Sequence, residues 1–505
     1  MMVSDIKKGG AAQGWCCASA LLLGIFLAAV VCLPLQVNAA SIGEAGIDTM
    51  LTEDYYAQPG FSSTLPLLTL TLPDSTLALE EEDYYLNVGV LGFDGQLSNT
   101  LDDTPSLIQA AVLRNMVDPA NQTVKKNDYY LRFESNQNLL GLGAASEYFL
   151  LGGMHDKSLL RNYIGYSMAA QIMPHAVEFG LCELFFRDEK GDLYQGVYLL
   201  VAQHFADAPN SFLFHYNTRG DGILIETYAS ANDASFGHMS IPFIQGSHWY
   251  EHFDQPIGGI SHAESVLYSN ESRTFYNYSS WFDVPAFSSS FILGELTENY
   301  EGMTDAYYLY DSEEAVVTVA PIWNFDQAFD NRASAPVSTG NTHYQEAPYY
   351  KNFFKSPQFV RQLQERYLVL RQKGLEEVNL IELVEAGVAL VVHAAPRDWA
   401  RWDSYSSHML QPLVEIELGG KEEDQLLTEK IVPVSRQTDS YEAEITRIKN
   451  TLREHSLYFA YAVTQFNFSE REISRESIMN VNPIWAGLFL VITFALIRFA
   501  RRYGI

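Results

Sequence analysis

Apolar and polar positions alternate through much of the first half of the chain, and this period of two predicts β-strands. The pattern starts at Leu65 with the run LPLLTLTL, returns over Tyr84–Val90 and appears again over Tyr129–Phe133. Two further runs, Val177–Phe186 and Tyr194–Val201, flank the polar sequence RDEKGD, which is typical of a turn. We therefore expect the last two strands to pair as a hairpin.

Helical spacing predominates in the second half of the chain. A first helix is predicted earlier, over Ser158–Ile172, with Ser158 or Asp156 as its N-terminal cap. Between the later helices, Tyr307–Tyr310 and Ala315–Val319 have the pattern of a short hairpin. The later helices are predicted over residues 284–299, 357–373, 378–394 and 439–466. A strand-rich N-terminal part followed by a helix-rich C-terminal part predicts an α+β fold with two lobes.

The first 39 residues have the features of a secretory signal peptide. Lys7 and Lys8 precede an apolar run over Trp15–Leu35, and the sequence VNA that ends at Ala39 matches a cleavage site with small residues. We predict cleavage after Ala39. Because the apolar run is long, an uncleaved N-terminal anchor is the alternative for residues 1–39. The following residues, 40–63, are polar and contain glycine, so we interpret them as a linker.

A second hydrophobic segment lies close to the C-terminus. Residues 484–497 are apolar apart from Gly487 and Thr493, and three arginines follow. Since positively charged flanks of a span stay in the cytoplasm, we predict that residues 483–505 form a single transmembrane anchor with a basic tail. This prediction places the main body outside the cytoplasm, in the periplasm or at the cell surface. A buried terminal helix is the alternative, because spans usually need about 20 apolar residues.

The composition indicates a folded and strongly acidic body. The chain has 505 residues, 47% of them hydrophobic, and its 32 Lys+Arg against 62 Asp+Glu give a formal charge of −30. This hydrophobic content excludes a disordered chain. Residues 1–39 carry +1 and residues 483–505 carry +3, which leaves −34 on residues 40–482. Binding to nucleic-acid phosphates needs clustered Lys and Arg, so we exclude a nucleic-acid partner.

The common short motifs for nucleotide and hydrolase sites are absent: the chain has no GxxxxGK[ST] loop, no HExxH and no GxSxG. A series of segments instead resembles, in order, the motifs of the spore-coat protein H (CotH) kinase family. These segments are Val124–Phe133, Leu139–Leu151, Asp156–Asn162 (DKSLLRN), Gly196–Val201 (GVYLLV), Gly222–Glu226 (GILIE), Glu295–Glu301 (ELTENYE), Pro321–Asp326 (PIWNFD), Phe359–Arg371 and Pro396–Trp402. We accordingly predict a CotH-like kinase domain over residues 64–405. Residues 406–482 would form a helical extension that completes the C-terminal lobe, or a stalk to the membrane.

The resemblance implies an atypical protein-kinase-like fold that uses ATP with Mg²⁺ or Mn²⁺ to phosphorylate Ser or Thr of surface or secreted proteins. Such transfer needs a cation on the phosphates, acidic metal ligands and a carboxylate near the acceptor hydroxyl. Lys126 matches the family's phosphate-binding lysine, and the adjacent Lys125 is the alternative. Arg161 in the run SLLRN would pair with a phosphate or with a carboxylate, or brace its helix.

The acidic positions depart from the family pattern. Glu301 stands where the family has the Asp expected to act as the base, and the added methylene moves the carboxylate by about 1.5 Å. Asn324 stands at the first Asp of the family's W-D-x-D motif, an implied metal ligand, and Asp326 keeps the second carboxylate of that site. An amide oxygen can coordinate Mg²⁺ but brings no charge. Ala202 also replaces the Glu of the family's GVYLLVE.

Three functions remain open from the sequence. The first prediction is an extracytoplasmic, membrane-tethered protein kinase. The alternative is a catalytically impaired pseudokinase that acts as a binding or scaffold module at the cell surface, because Glu301, Asn324 and Ala202 all depart from the pattern. A third possibility is a kinase-fold enzyme that catalyses another nucleotide-dependent transfer.

Overall fold

The computed structural model describes much of the chain between residues 50 and 466. The described ranges are 50–71, 84–91, 99–105, 107–116, 126–153, 156–173, 177–203, 211–217, 254–299, 305–320, 324–331, 342–347, 349–402, 414–417, 428–431 and 440–466. The predicted signal peptide, residues 40–49 of the predicted linker, the GILIE segment and the predicted C-terminal anchor lie outside them. The domain boundaries proposed from the sequence therefore remain predictions.

The strands follow the alternating pattern closely. In chain order they are β1 (Ser62–Ser63), β2 (Leu67–Thr71), β3 (Tyr84–Leu91), β4 (Asn99–Thr100), β5 (Leu107–Asn115), β6 (Tyr129–Gln137), β7 (Ala145–Leu151), β8 (Phe179–Asp188), β9 (Gly191–Gln203), β10 (Ser211–Asn217), β11 (Asp305–Asp311), β12 (Val316–Val319), β13 (Val414–Glu417) and β14 (Thr428–Ile431). The hairpin predicted between Val177 and Val201 is confirmed as β8 and β9, which pair antiparallel. The short hairpin predicted around residue 310 is confirmed as β11 and β12.

Seven of these strands close into a barrel in the order β2-β3-β5-β6-β7-β9-β8. Neighbours in the barrel are antiparallel, except that β2 pairs parallel with β8 and so closes the ring. Because side chains alternate across a strand, every second residue points into the barrel. The interior is an apolar cluster that includes Leu68, Leu131, Leu150, Cys182 and Leu200, all fully buried. Cys182 therefore serves as an apolar core residue.

The helices lie mostly in the second half of the chain, as the pattern predicted. They are α1 (Arg161–Ile172), α2 (Asp254–Leu267), α3 (Ser272–Phe275), α4 (Val284–Thr297), α5 (Tyr350–Phe353), α6 (Pro357–Lys373), α7 (Glu377–Val391), α8 (Ala395–Trp402) and α9 (Tyr441–Gln465). A fold of mixed α and β content, with a strand-rich barrel and a set of helices, is confirmed. The kinase-like division into two lobes stays a prediction.

Helix α4 is the central helix of the helical part. It is buried on nearly every side, because other elements surround it, and it contacts α1, α6 and α9. Asp283 caps it by accepting a hydrogen bond from the Ala286 backbone N–H at 3.1 Å. The helix ends where Glu298 adopts a left-handed conformation with φ of 50°. Asn299, the residue after Glu298, therefore lies in the candidate site described below.

Side-chain contacts of helix α8 connect the helical part to the barrel. Arg397 forms a bidentate ion pair with Glu183 of β8, at 2.7 and 3.0 Å. The Trp402 indole N–H donates to the Gln195 carbonyl at 2.9 Å. Gly196 adopts φ of +113°, and a Cβ atom there would lie 2.3 Å from an Asp398 carboxylate oxygen. Glycine is therefore required at position 196 by both conformation and space.

Two predicted helix limits need correction or comment. Helix α1 begins at Arg161 and not at Ser158, because Leu159 takes φ of +60° and interrupts the helical backbone. The cap position is occupied by Leu160, while Asp156 accepts the Arg161 backbone N–H at 2.7 Å from outside the helix. Helix α9 matches its prediction to within two residues and packs on α4, α6 and α7.

Within the ranges that the structure describes, no single helix is long and apolar enough to cross a membrane. Helices α7 and α8 satisfy the length and composition only as a pair, and they meet at an angle of 72°.

The buried carboxyl of Glu264 predicts a pH-dependent stability. Its neighbour Tyr349 donates a hydrogen bond to it at 2.7 Å, and desolvation by burial nevertheless raises the pKa of Glu264 from 4.5 to about 8. A raised carboxyl pKa stabilises the fold at pH values below 4.5, and this contribution is lost as the pH rises from 4.5 to 8. Between pH 5 and pH 7 the wild type should therefore lose about 2–3 kcal/mol of unfolding free energy relative to Glu264→Gln, measured by urea unfolding.

The control is Glu382→Gln at an exposed position of α7. It should follow the pH dependence of the wild type. Parallel curves for Glu264→Gln and the wild type would show that Glu264 is charged at neutral pH in the folded state.

Candidate active site

The turn between β7 and α1 forms one side of the candidate site. Gly152 and Gly153 leave the strand, and Gly153 takes φ of +60°, a conformation that favours glycine. Asp156 then fixes the turn, because its carboxylate accepts the backbone N–H groups of Ser158 at 2.9 Å and Arg161 at 2.7 Å. Gly152–Gly153 and Asp156–Ser158 are thus the described parts of this turn, which precedes α1.

The segment 324–331 forms the opposite side. The Asn324 side-chain oxygen accepts the Asp326 backbone N–H at 2.8 Å, and the Asn331 amide donates to the Asp326 carbonyl at 2.6 Å. Asn299, just past the end of α4, donates from its side chain to the Asn324 carbonyl at 2.8 Å. Three asparagines therefore fix the backbone on both sides of Asp326.

The two sides meet at the Asp326 carboxylate. Asn162 in α1 donates to its Oδ1 at 2.5 Å and accepts the Phe325 backbone N–H at 2.7 Å. Gly165, one turn further along α1, allows this approach, because a Cβ there would lie 2.2 Å from the Phe325 ring. A Cβ on Gly153 would be 3.6 Å from Asp326 Oδ1, so the glycine turn lies directly beside the carboxylate.

A small cleft borders this meeting point. Its polar lining comes from Gly152, Gly153, Asp156 and Asn162, and its apolar lining comes from Tyr198 and aliphatic residues of β7, β8 and β9. Ligand sites generally combine apolar walls with a few fixed polar groups, and this cleft has both.

Lys126 lies behind the glycine turn. Its ammonium forms an ion pair with Asp398 of α8 at 2.7 Å, donates to the Val197 carbonyl at 2.8 Å and lies 5.0 Å from the centre of the Tyr198 ring. Both side chains of the pair are almost fully buried. Burial raises the pKa of Asp398, and the adjacent Lys126 charge opposes this shift. The side chain also approaches Gly152, where an added Cβ would lie 3.3 Å from the Lys126 Cγ.

A second carboxyl near Lys126 has a strongly shifted pKa. Asp128 accepts the Gly152 backbone N–H at 2.5 Å. Although the residue as a whole keeps some exposure, desolvation of its carboxyl raises the pKa of Asp128 to about 6, against the lowering effects of the Gly152 hydrogen bond and the Lys126 charge. This carboxyl therefore changes charge close to neutral pH.

Arg161 is the buried cation at the start of α1. Its guanidinium contacts Asp156 at 2.6 Å and Glu444 of α9 at 2.5 Å, and its Nε donates to the Ala328 carbonyl at 3.0 Å. Burial alone lowers the pKa of Arg161, but the two carboxylates, Glu444 first, raise it above its ordinary value. The side chain has 0% exposure, so its charge interacts with these protein groups and not with solvent.

The comparison with known protein families agrees with this arrangement. The family model for CotH kinase protein matches residues 120–458, which is more than half of the chain. This chain belongs to the CotH kinase family. No curated protein matches its sequence. The matched region extends beyond residue 405, the limit of the motif resemblance, and includes most of α9.

Two cationic residues were predicted for this CotH site. Lys126 lies next to Gly152, and Arg161 pairs with Asp156, and both of these neighbours line the cleft. In this structure Lys126 pairs with the Asp398 carboxylate. Of the roles considered for Arg161, its burial favours pairing with carboxylates, and it presents no surface to a phosphate. The alternative Lys125 lies outside the described residues.

Among the acidic positions, the structure brings Asp326 and Asn324 together but does not describe Glu301. Asn324 uses its side-chain oxygen to hold the Asp326 backbone, which is a turn-forming role. Ala202 lies in the barrel core, paired across the sheet with Tyr148, and not at an edge of the cleft. Within the described ranges, no three His, Cys, Asp or Glu side chains are grouped to hold a metal.

Several residues of the site were not assigned a role from the sequence. Asn162 was visible in the family-like run DKSLLRN, and Asn299 in ELTEN, so their motifs carried a signal. Asn331 and Glu444 had none: Asn331 lies in no matched motif, and Glu444 contacts Arg161, which is far from it in the chain.

The buried pair of Lys126 and Asp398 should be a major source of stability. We expect Lys126→Met to lower the unfolding free energy by about 3–5 kcal/mol, because it leaves the Asp398 charge buried without its partner. Arg187→Met removes an ion pair whose arginine is 38% exposed and should cost less than about 1 kcal/mol. Both are measured by chemical denaturation. Adding Asp398→Asn to Lys126→Met should recover part of the loss, and equal costs for Lys126→Met and Arg187→Met would contradict the assignment.

Proposed function

We propose that this chain is a CotH-family protein kinase that transfers phosphate from ATP to Ser or Thr of surface or secreted proteins. The observation that carries the proposal is the Asp326 carboxylate, which Asn162 holds beside a glycine turn at the edge of a cleft. Phosphoryl transfer depends mainly on positioning and on charge stabilisation, and a fixed carboxylate next to an unobstructed backbone supports both.

A divalent metal fits the residues around Asp326. One carboxylate and nearby amide oxygens are the type of oxygen ligand that Mg²⁺ takes, together with phosphate oxygens from the substrate. Asn162 orients the Asp326 carboxylate by donating a hydrogen bond to one of its oxygens. When bound, the metal would neutralise negative charge on the phosphates. Asn324 would contribute by keeping Asp326 in place, and an additional direct contact to the metal is the role that the family pattern suggests.

The glycine turn and Lys126 support nucleotide binding. Gly152 and Gly153 have no side chains, so phosphates can approach the backbone closely. Lys126 would add positive charge from behind the turn while Asp398 fixes its position. Glu301 would act as the base for the acceptor hydroxyl, as its place in the family motif implies.

A pseudokinase is the second candidate. It is favoured by Asn324, whose oxygen is used by the backbone of Asp326 and brings no charge to a metal. In that case the same cleft would bind a nucleotide or a partner without transfer. In both cases we propose that the body lies outside the cytoplasm, tethered through residues 483–505, on the basis of the terminal sequence patterns.

The test is the intact mass of the purified protein after incubation with ATP and Mg²⁺ or Mn²⁺. We expect the wild type to gain a phosphate-sized mass, or to phosphorylate an added protein substrate, and Asp326→Ala to lose this activity by at least about 100-fold. Asp103→Ala, at an exposed turn position, is the control and should remain active.

The other outcomes distinguish the remaining candidates. A nucleotide-sized adduct would indicate a different nucleotide-dependent transfer. Absence of any adduct, with a melting temperature that responds to ATP, would favour the pseudokinase. Equal activity of Asp326→Ala and the wild type would contradict the site.

A further inference from the structure

Helix α9 contacts both segments that build the candidate site. Near the start of α9, Glu444 and Arg447 are connected to residues 324–331 by the contacts given below. Three turns later, the His455 ring lies 3.1 Å from Glu298, the residue that ends α4. All of these side chains except Arg447 are fully or nearly fully buried. Helix α9 is far from the candidate site in sequence, yet these side chains contact the segments that form it.

Arg447 is joined to Asp326 through one intermediate residue. Its guanidinium donates to the Asp330 carbonyl at 2.6 Å and to the Asn331 side-chain oxygen at 3.4 Å, and it lies 3.8 Å from the Asp330 carboxylate. The Asn331 amide in turn donates to the Asp326 carbonyl at 2.6 Å. A chain of hydrogen bonds therefore connects α9 to Asp326.

Glu444 supplies a second connection to the same segment. Its carboxylate pairs with Arg161 at 2.5 Å, and Arg161 donates to the Ala328 carbonyl at 3.0 Å. Arg161 also directly precedes Asn162, the residue that binds the Asp326 carboxylate. Both connections from α9 thus end on residues 324–331, one on each side of the backbone turn at Phe329 and Asp330, where both residues have positive φ.

We propose that α9 positions the metal ligand: Arg447 and Glu444 fix residues 324–331 so that the Asp326 carboxylate is directed at the bound cation. This inference rests on the proposed function, because it concerns the same site. Arg447 and Glu444 are positioning residues and touch no substrate. The inference extends the functional region beyond residue 405, where the motif resemblance ends.

The strained turn explains why such support is needed. Phe329 and Asp330 have φ of 54° and 58°, a conformation that non-glycine residues adopt only when their surroundings hold it. The Phe329 backbone N–H is bonded to the Thr297 carbonyl at 2.7 Å, and Arg447 holds the Asp330 carbonyl. Loss of the Arg447 contacts would let this turn relax and would shift Asp326. Changes to residues that orient metal ligands typically weaken metal binding by about 10–100-fold.

The experiment compares Arg447→Met, Arg447→Lys and Arg453→Met in the full chain. Arg453 lies on the same helix, is 45% exposed and pairs with the exposed Glu377, so it is the matched control. Arg447 is preferred to Glu444 as the test position, because removing Glu444 would leave the buried Arg161 charge without one of its carboxylates. The first measurement is hydrogen exchange of the amides in residues 324–331. The second is the melting temperature as a function of MnCl₂ concentration, without nucleotide.

We expect Arg447→Met to speed exchange at Phe329 and Asn331 and to raise the Mn²⁺ concentration at half-maximal response by about tenfold. Arg447→Lys should recover part of both effects, and Arg453→Met should behave as the wild type.

Two results would overturn the inference while leaving the proposed function intact. One is an unchanged Mn²⁺ response in Arg447→Met. The other is an equal change in Arg453→Met, which would indicate general destabilisation. If the wild type itself gave no Mn²⁺ response, the metal site of the proposed function would fail. Altered exchange in Arg447→Met would then show only that Arg447 stabilises residues 324–331. The proposed role of Arg447 in positioning a metal ligand would also be overturned.

Discussion

The buried Arg161 charge is the constraint on which the site depends. A guanidinium with no exposed surface loses its hydration, and such a loss costs several kcal/mol unless partners replace the water. Asp156 and Glu444 supply the charge, and the Ala328 carbonyl supplies a further acceptor. These partners belong to the turn before α1, to α9 and to the segment that carries Asp326. Burying one cation therefore requires three distant parts of the chain to be in place together.

The chemistry of the site follows from this arrangement. Once α1 is fixed at Arg161, the next residue, Asn162, is held where it can bind both the Phe325 backbone and the Asp326 carboxylate. Asn299 and Asn331 complete the support by bonding to backbone carbonyls on either side. The Asp326 carboxylate is thus oriented by amide groups that carry no charge. In the proposed function, a metal and phosphates would supply the remaining charges.

The sequence predicted local features well, because they depend on nearby residues. Alternation identified the strands at Leu67–Thr71 and Phe179–Asp188, and helical spacing gave α6 with both of its ends. The start of α1 was misplaced, since the positive φ of Leu159 is imposed by the turn around Asp156 and has no signal in composition. The parallel pairing of β2 with β8, which closes the barrel, is likewise a long-range contact that periodicity does not contain.

The candidate site was predictable only where a motif carried it. Asp326 was selected from its motif, whereas the carboxylate partner of Lys126 and the second carboxylate partner of Arg161 lie 272 and 283 (444 − 161) positions away, in α8 and α9. No local pattern links such residues, and only the folded chain identifies Asp398 and Glu444 as their counter-charges. The departure at Asn324 was interpreted from the sequence as a weakened metal ligand, and the structure gives it a backbone-holding function.

The central claim is that Asp326 binds a divalent metal together with ATP. The most direct measurement is Mn²⁺ binding followed by electron paramagnetic resonance, with a non-hydrolysable ATP analogue, in the wild type and in Asp326→Asn. We predict that the wild type binds Mn²⁺ with the analogue and that Asp326→Asn, which keeps the side-chain shape but removes the charge, weakens this binding by at least about tenfold. Equal binding by the two proteins would contradict the account, because the carboxylate that the surrounding amides hold in place would then have no part in holding the metal.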